Sequence, residues 1–542
     1  MRQCLTQDFT HIYVFHLRGN QRTSGDLSRR EGGKIFGTGS RAPIAITIFV
    51  KQPEDTRHTI LFHDIGDYLS REEKLEKITA FGSVAGIAKA GAWTEVTADS
   101  HGDWTKQRDP RFGKLAVLGD KSGQEEFALF LSYSRGVLTS RDAWCFNASC
   151  SIVRENMRLM IEFYNAEVAR FDAEFPGLTT TKERLPKVAN FINTDAKLIS
   201  WSRALKQDVA KGRTYAFADD AIHRSLYRPY GKQWMYFDRR FNESVLQMPR
   251  FFPYSGAENL VITVKGNWSG TGHLALITDC VMCDQTDSGV QCFPRYVYID
   301  ADKSREDSND LFAKSESDRD DGITGAGLKY LQDSYPSQTL TTDDVFYYIY
   351  GVLHSEDYRD QFKHNLNKEL PRIPAVKKFE DFQAFSQAGR DLAHWHLDYE
   401  TVDCHPVTLD FTAGDKGPQS LKACKDEHFY VRKMKFPKVK DPETKKSVND
   451  KTTIIYNNYI TVRDIPLEAY DYVVNGKSAI EWVMERQAVT TDKASGIVND
   501  ANLWATETMN NAAYPLELLL RVITVSLETN RIVSNLPQLD ID

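Results

Sequence analysis

Hydrophobic and polar positions first alternate from the seventh residue before Arg18: HIYVFHL, with Ile12, Val14 and Phe15, reads as a strand. About two dozen polar, glycine-rich and basic residues follow. The alternation then resumes in IAITIFVK, with Ile44, Ile46, Ile48 and Val50, and again in HTILFHDI, residues 58–65. The pattern next turns helical, with Asp67 or Ser70 as N-cap and Leu75, Ile78 and Phe81 on one face. Residues 1–95 are thus expected to form the last strands of an α/β sheet and its closing helix. So abrupt a start suggests a domain cut from a longer chain.

Beyond residue 140 helical spacing dominates. Ile152, Met157, Met160, Ile161 and Tyr164 predict a long helix over 140–171, its methionines serving as core filler. A further helix is expected over 197–211, through Ile199, Leu205 and Val209. Thr341 to Asp344 looks like a helix start, with a stripe of Val345, Ile349 and Val352 behind it. A second stripe of Tyr358, Phe362 and Leu366 ends at Pro371, so the pair is expected as a helical hairpin. Residues 429–451 read as a basic strand and loop, and 473–487 and 515–533 as helices that pack the end of the domain. No internal repeat is present.

Charge changes this picture at two places. The chain carries a formal −7, yet the loop between the first two strands holds Arg18, Arg22, Arg29, Arg30, Lys34 and Arg41 against Asp26 and Glu31, a local +4. A loop of that length inside a compact fold is usually functional, and its charge suits a polyanion. In HRSLYRPYGKQWMYFDRRFN, residues 223–242, Arg224, Arg228, Lys232, Arg239 and Arg240 interleave with Tyr227, Tyr230, Trp234, Tyr236 and Phe237. Cations beside flat rings are what nucleic-acid surfaces use. The same residues also fit a half-buried hairpin with its rings in the core. The acidic, serine-rich stretch 300–322 reads as a solvated or disordered loop.

Composition narrows the class. With 542 residues, 41% hydrophobic and 26% charged, the chain is long enough for two to four domains. It has no apolar run near 18 residues and no apolar signal core, so cytoplasm is the default and no membrane partner is expected. Eight cysteines do not make a disulfide framework. Cys280, Cys283 and Cys292 with His273 are the one zinc-like spacing, and reduced, ordinary cysteines are the expected reading.

Several long segments carry a resemblance. HLRGNQRTSGDLSRREGGKIFGTGSRAPIAITIFVK, HDIGDYLSREEKL, SRDAWCFN, RSLYRPYGKQWMYFD, ITDCVMCDQTDSGVQCFP, YYIYGVLHSEDYRDQF and VVNGKSAIEWVMERQ are similar, in family order, to type ISP restriction-modification enzymes. These are single polypeptides that join nuclease, translocase, adenine-N6 methyltransferase and target-recognition domain. The resemblance implies an α+β or α/β chain. Residues 1–140 would be the C-terminal remnant of the methyltransferase domain, a truncated Rossmann-like sheet. Residues 141–542 would be a mixed α+β target-recognition domain with helical hairpins. It further implies recognition of a specific double-stranded DNA sequence. The expected contacts are Arg18, Asn20, Arg22, Lys34 and Arg41 in the first loop, with Arg224, Arg228 and Lys232 positioning the backbone or reading a groove.

The chemistry of methyl transfer is absent from the sequence. An adenine methyltransferase needs an Asn/Asp-Pro-Pro-Tyr/Phe loop that accepts hydrogen bonds from the flipped base, and no two of the 19 prolines are adjacent. Phe36-Gly37-Thr38-Gly39 imitates a cofactor turn, but it precedes a strand instead of opening a helix. No translocase phosphate loop or nuclease carboxylate cluster occurs. S-adenosylmethionine is therefore expected to bind an upstream part, a methyltransferase or translocase chain that would be the protein partner, and this chain is expected to be inactive alone. Two alternatives remain at this level: a split methyltransferase subunit completed by an N-terminal chain, and a non-functional gene fragment.

Overall fold

The computed structural model describes residues 1–21, 31, 35, 41–268, 273–286, 289–299, 319–411, 417–442, 445 and 447–542. Arg22 and Lys34 lie outside the described residues, as does 300–318 of the acidic stretch.

The alternating segments at the start form one sheet. A short helix, α1 (Arg2–Asp8), precedes β1 (His11–Arg18), β2 (Ile44–Val50) and β3 (Thr59–Asp64). Helices α2 (Arg71–Phe81) and α3 (Val84–Lys89) then lead to β4 (Thr94–Val96). The strand order is β2-β1-β3-β4, with β1 parallel to β3 and antiparallel to β2. Both faces of β1 are covered. Ile12 and Val14 pack with Ile60 on one side, and Phe15 and Leu17 pack with Ile65 and Ile87 on the other. Coverage on both faces is what a strand inside an α/β sheet requires. The sequence left Asp67 or Ser70 as the cap of α2; Ser70 caps it in a reciprocal box with Glu73. Leu75, expected on the apolar face, is instead exposed.

Further along, β5 (Ser134–Arg135) and β6 (Phe146–Asn147) precede the long helix α4 (Cys150–Glu174). This helix starts later than the spacing predicted, because a short helix at Asp142–Cys145 and β6 occupy the first residues. Its Val153, Met157, Met160, Ile161 and Tyr164 are buried. The helix expected over 197–211 is shorter, Arg203–Ala210, capped by Ser202.

A hairpin of β7 (Ile222–Arg228) and β8 (Gly231–Tyr236) follows, then β9 (Val261–Lys265), β10 (Ala275–Thr278), β11 (Val281–Met282) and β12 (Val290–Pro294). A second hairpin pairs β13 (Tyr296–Tyr298) with β14 (Arg319–Asp321). These strands make two four-stranded sheets, β10-β9-β12-β5 and β11-β7-β8-β6.

Helix α5 (Thr342–His354), capped by Thr341, carries the predicted stripe of Val345, Ile349 and Val352, all fully buried. The second stripe runs through two short helices, Glu356–Gln361 and Lys363–Leu366, with Tyr358, Phe362 and Leu366 inside. Packed across α5 is α6 (Phe379–Leu397). The last long helix is α7 (Tyr514–Ser534). One core joins α4, the β7–β8 hairpin and most of α7; a second joins β9, β10, α5 and α6. The whole is a mixed α/β structure with several small sheets. No helix among the described residues is long and apolar enough to cross a membrane.

Candidate nucleic-acid interface

At the exit of β1, Arg18 adopts a left-handed backbone, φ 53°, and turns back onto the sheet. Its guanidinium binds Asp64 through two hydrogen bonds of 2.7 and 2.8 Å and also pairs with Asp67. Burial alone would raise the Asp64 carboxyl, but Arg18 and the Gly66 N–H outweigh it and hold the group at about 2. Arg18 therefore anchors the base of the loop to β3. The Asn20 N–H donates to Glu31 at 3.1 Å, and the Gln21 N–H donates to the Arg41 carbonyl at 2.9 Å, which ties the loop's two ends together. The Arg41 side chain is exposed and has no ion-pair partner among the described residues.

The hairpin residues separate into different environments. Alternation along β7 sends His223 and Ser225 inward and Arg224 outward, opposite Trp234 on β8. No side-chain hydrogen bond or ion pair holds Arg224 among the described residues. Arg228 folds back on its own strand. Its guanidinium stacks 4.0 Å from the Tyr227 ring and donates to the Tyr227 carbonyl at 2.6 Å. Lys232 is directed into the protein, 8% exposed, with Glu400 at 2.9 Å and Asp279 at 3.6 Å. Of the three hairpin cations expected at DNA, Arg224 is the exposed one, and it has no ion pair among the described residues. The alternative reading of the hairpin also holds for its rings: Tyr230, Tyr236 and Phe237 are core residues.

Arg224 opens into a cleft of about 700 Å³. Trp234, Tyr254 and Tyr296 supply aromatic wall, and Arg295 and Arg319 supply two further guanidinium groups. Two carboxylates, Glu258 and Asp279, line it as well, and Asp279 is partly compensated by Lys232. Arg295 and Arg319 escaped the sequence reading, since they lie about 70 to 95 residues from Arg224, outside its hairpin. Only the folding of the β13–β14 hairpin against the cleft assembles them.

The zinc-like cysteines are not so arranged. Cys280, Cys283 and Cys292 are buried, and burial pushes the first two thiols up to about 12 and the third well above its ordinary value. His273 already accepts a hydrogen bond at Nδ1 from Arg359. No group of three or more metal-ligating side chains occurs among the described residues.

Residues 128–518 match the family described as the Type ISP C-terminal specificity domain. The chain belongs to this family. The match takes in the cleft and the hairpin of this Type ISP specificity domain, and leaves the first sheet and the Arg18–Arg41 loop outside it. Among solved structures, a nuclease-deletion mutant of the Type ISP restriction-modification enzyme LlaGI, in complex with a DNA substrate mimic, is 35% identical over 100% of this chain, with a TM-score of 0.78. The ATP-dependent Type ISP enzyme LlaBIII, bound to DNA, is 31% identical over 100% of the chain, also with a TM-score of 0.78. A DrdV–DNA complex is 27% identical over 99% of the chain, with a TM-score of 0.76. This Type ISP chain spans 45%, 32% and 48% of those three polypeptides. No curated protein matches it.

Proposed function

We propose that the chain recognises a specific double-stranded DNA sequence, as the C-terminal specificity part of a type ISP system that methylates adenine at N6. The observation that carries this reading is its likeness, along its full length, to Type ISP enzymes whose structures hold DNA. The local chemistry agrees. Arg224 stands on the β7–β8 hairpin with no ion-pair partner among the described residues, at the mouth of a cleft walled by rings and further arginines. Arg41 is exposed where the basic loop returns to the sheet, and Arg22 and Lys34 belong to the same basic loop.

In this reading the chain has two parts. The four-stranded sheet at the N-terminus is the end of a methyltransferase sheet, and the structure from about residue 141 onward is the recognition domain. A specific observation favours dependence on an upstream methyltransferase part. Among the described residues β2 pairs only with β1, so one edge of β2 is unpaired, and Ile46, Ile48 and Phe49 are about 40% exposed along it. Ile46 and Ile48 line an apolar depression of about 160 Å³ with Tyr13, Phe15, Ile78, Phe81 and Trp93. Edges of this kind are normally covered. The upstream part is proposed to cover this one, either within one polypeptide or as a separate subunit.

The described residues do not suit S-adenosylmethionine. Among the described residues, the strand-to-helix turn of the first sheet, from β3 to α2, has a single glycine, Gly66, whose N–H already donates to Asp64. Cofactor binding is assigned to the upstream part.

The test is selection from random duplex DNA. The purified chain is expected to enrich one asymmetric word at moderate salt, and Arg224→Ala is expected to weaken retention of that word. Sequence-blind binding, or none, would overturn autonomous recognition.

A further inference from the structure

One basic stretch of the sequence takes no part in the cleft. Residues 433–451 hold seven lysines against three acids, a local +4 in a chain of −7. There β15 (Lys438–Lys440) pairs antiparallel with β16 (Ser447–Asn449), and the two-stranded ribbon joins no larger sheet among the described residues. The register sets Lys438 opposite Asn449, Val439 opposite Val448 and Lys440 opposite Ser447. Successive side chains alternate and directly opposed ones share a face, so Lys438, Lys440, Ser447 and Asn449 make one face and the two valines make the other.

Burial does not account for this ribbon. Lys438, Val439, Lys440, Ser447 and Val448 are all exposed, the valines at 45% and 37%. A lone hairpin is marginal in water, and this one is held at its root. Lys435 and Ile455 exchange backbone hydrogen bonds of 3.1 and 2.9 Å, and the Asp450 N–H donates to the Pro437 carbonyl at 3.0 Å. Between these bonds the Phe436 ring packs 6.1 Å from that of Tyr470, and Met434 is buried. The ribbon therefore has an anchored base and two faces open to solvent. No ion pair or side-chain hydrogen bond engages Lys438 or Lys440 among the described residues.

We propose that the ribbon is an arm that grips duplex DNA, with its Lys438 and Lys440 face seated on backbone phosphates. This rests on the reading of the chain as a DNA-recognition domain and adds to it a contact surface and a chemical class. Two residues along a strand span about 7 Å, close to the distance between successive phosphates of one DNA strand. A two-stranded ribbon is also narrow enough for the major groove, which rows of phosphate border. Lysines that displace counterions there supply affinity without reading sequence. Anchoring the root before binding reduces the entropy lost when the arm is fixed on the duplex.

The experiment is titration of the full chain against two labelled duplexes, one carrying the selected word and one random, over a series of salt concentrations. Lys438→Ala and Lys440→Ala are each expected to weaken both duplexes about equally and to lower the slope of log affinity against log salt by about 1; together they should lower it by about 2. At moderate salt the double variant should bind roughly tenfold more weakly or worse. Arginine at both positions keeps the charge and should retain the slope. Val439→Thr, on the opposite face, should change neither slope nor affinity. If circular dichroism shows that the alanine pair melts early, Lys438→Gln with Lys440→Gln, which keeps the side-chain stems, decides instead. An unchanged slope for the double variant, or a loss confined to the selected word, would overturn the arm while leaving DNA recognition standing. A parent chain that binds neither duplex would remove the recognition reading and the arm together.

Discussion

Lys232 Nζ lies 2.9 Å from a carboxylate oxygen of Glu400, inside the protein, where the two side chains are 8% and 12% exposed. The other Glu400 oxygen accepts from the Tyr514 hydroxyl at 2.6 Å, so one carboxylate joins β8 to the start of α7. Burial alone would favour the neutral amine, but Glu400 above all, with Asp279 contributing, outweighs it and keeps the lysine charged. Removing one partner strands the other. Lys232→Met or Glu400→Gln is expected to cost about 3–5 kcal/mol in a urea titration, and the double replacement by methionine to cost less than either. If Lys232 met phosphate instead, Lys232→Met would lower the salt slope of DNA binding; no such change is expected.

Three buried histidines make the fold sensitive to acid. His354 donates from Nδ1 to the Tyr350 carbonyl at 2.9 Å, and its ring lies 5.5 Å from that of His396 and 6.1 Å from that of His273. Burial holds His354 at about 4 and the other two well below their ordinary value. The unfolded chain therefore takes up protons first. The contribution is complete above pH 6.5 and is lost as pH falls from 6.5 toward 4, by about 3 kcal/mol for His354 at the lower limit. Urea midpoints at pH 7.5, 6 and 5 should fall in that order, and His354→Phe should flatten the trend. A midpoint that holds steady would mean that these rings titrate normally.

Helices α5 and α6 touch backbone to backbone where Gly351 faces Gly389. A Cβ on Gly351 would strike the Phe385 carbonyl, and one on Gly389 the Tyr347 carbonyl. Neither obstacle is a flexible side chain. Gly351→Ala should destabilise by about 1–3 kcal/mol or more, the cost of forcing apart a packed pair, although alanine favours an isolated helix. A stability equal to that of the parent would show that the helices can separate without loss.

The sheet edge gives a prediction about assembly. Ile48→Lys on β2 should leave the salt dependence of duplex binding unchanged and should abolish capture of an added upstream methyltransferase segment in a co-purification assay. In the parent chain, calorimetry should detect no S-adenosylmethionine binding until that segment is present. Binding by the chain alone would place the cofactor site here instead.

Much of the local structure could be read directly. Strand alternation at Ile12–Leu17 and Ile44–Val50 and the capping residues Ser70 and Thr341 depend on neighbours close in sequence. Family membership was also legible, because long segments of matching residues survive in order. The candidate contacts were less so. Composition marks Arg18, Arg228 and Lys232 as cations, but the carboxylates and ring that take them up come from Asp64, Tyr227 and Glu400. Leu75 shows the same limit, an apolar residue in helical register that is left exposed.

The sequence by itself determined which segments become strands and helices, where several of them start, that the chain is of the Type ISP kind, and that it has no methyl-transfer loop. These follow from side-chain periodicity, capping chemistry and residue identity, which act over a few positions. Only the tertiary structure decided which positive charges remain available. It placed Arg224 beside Arg295 and Arg319 and turned Lys232 inward, because ion pairing and burial depend on distances between residues tens to hundreds of positions apart. Those distances exist only once the sheets have packed.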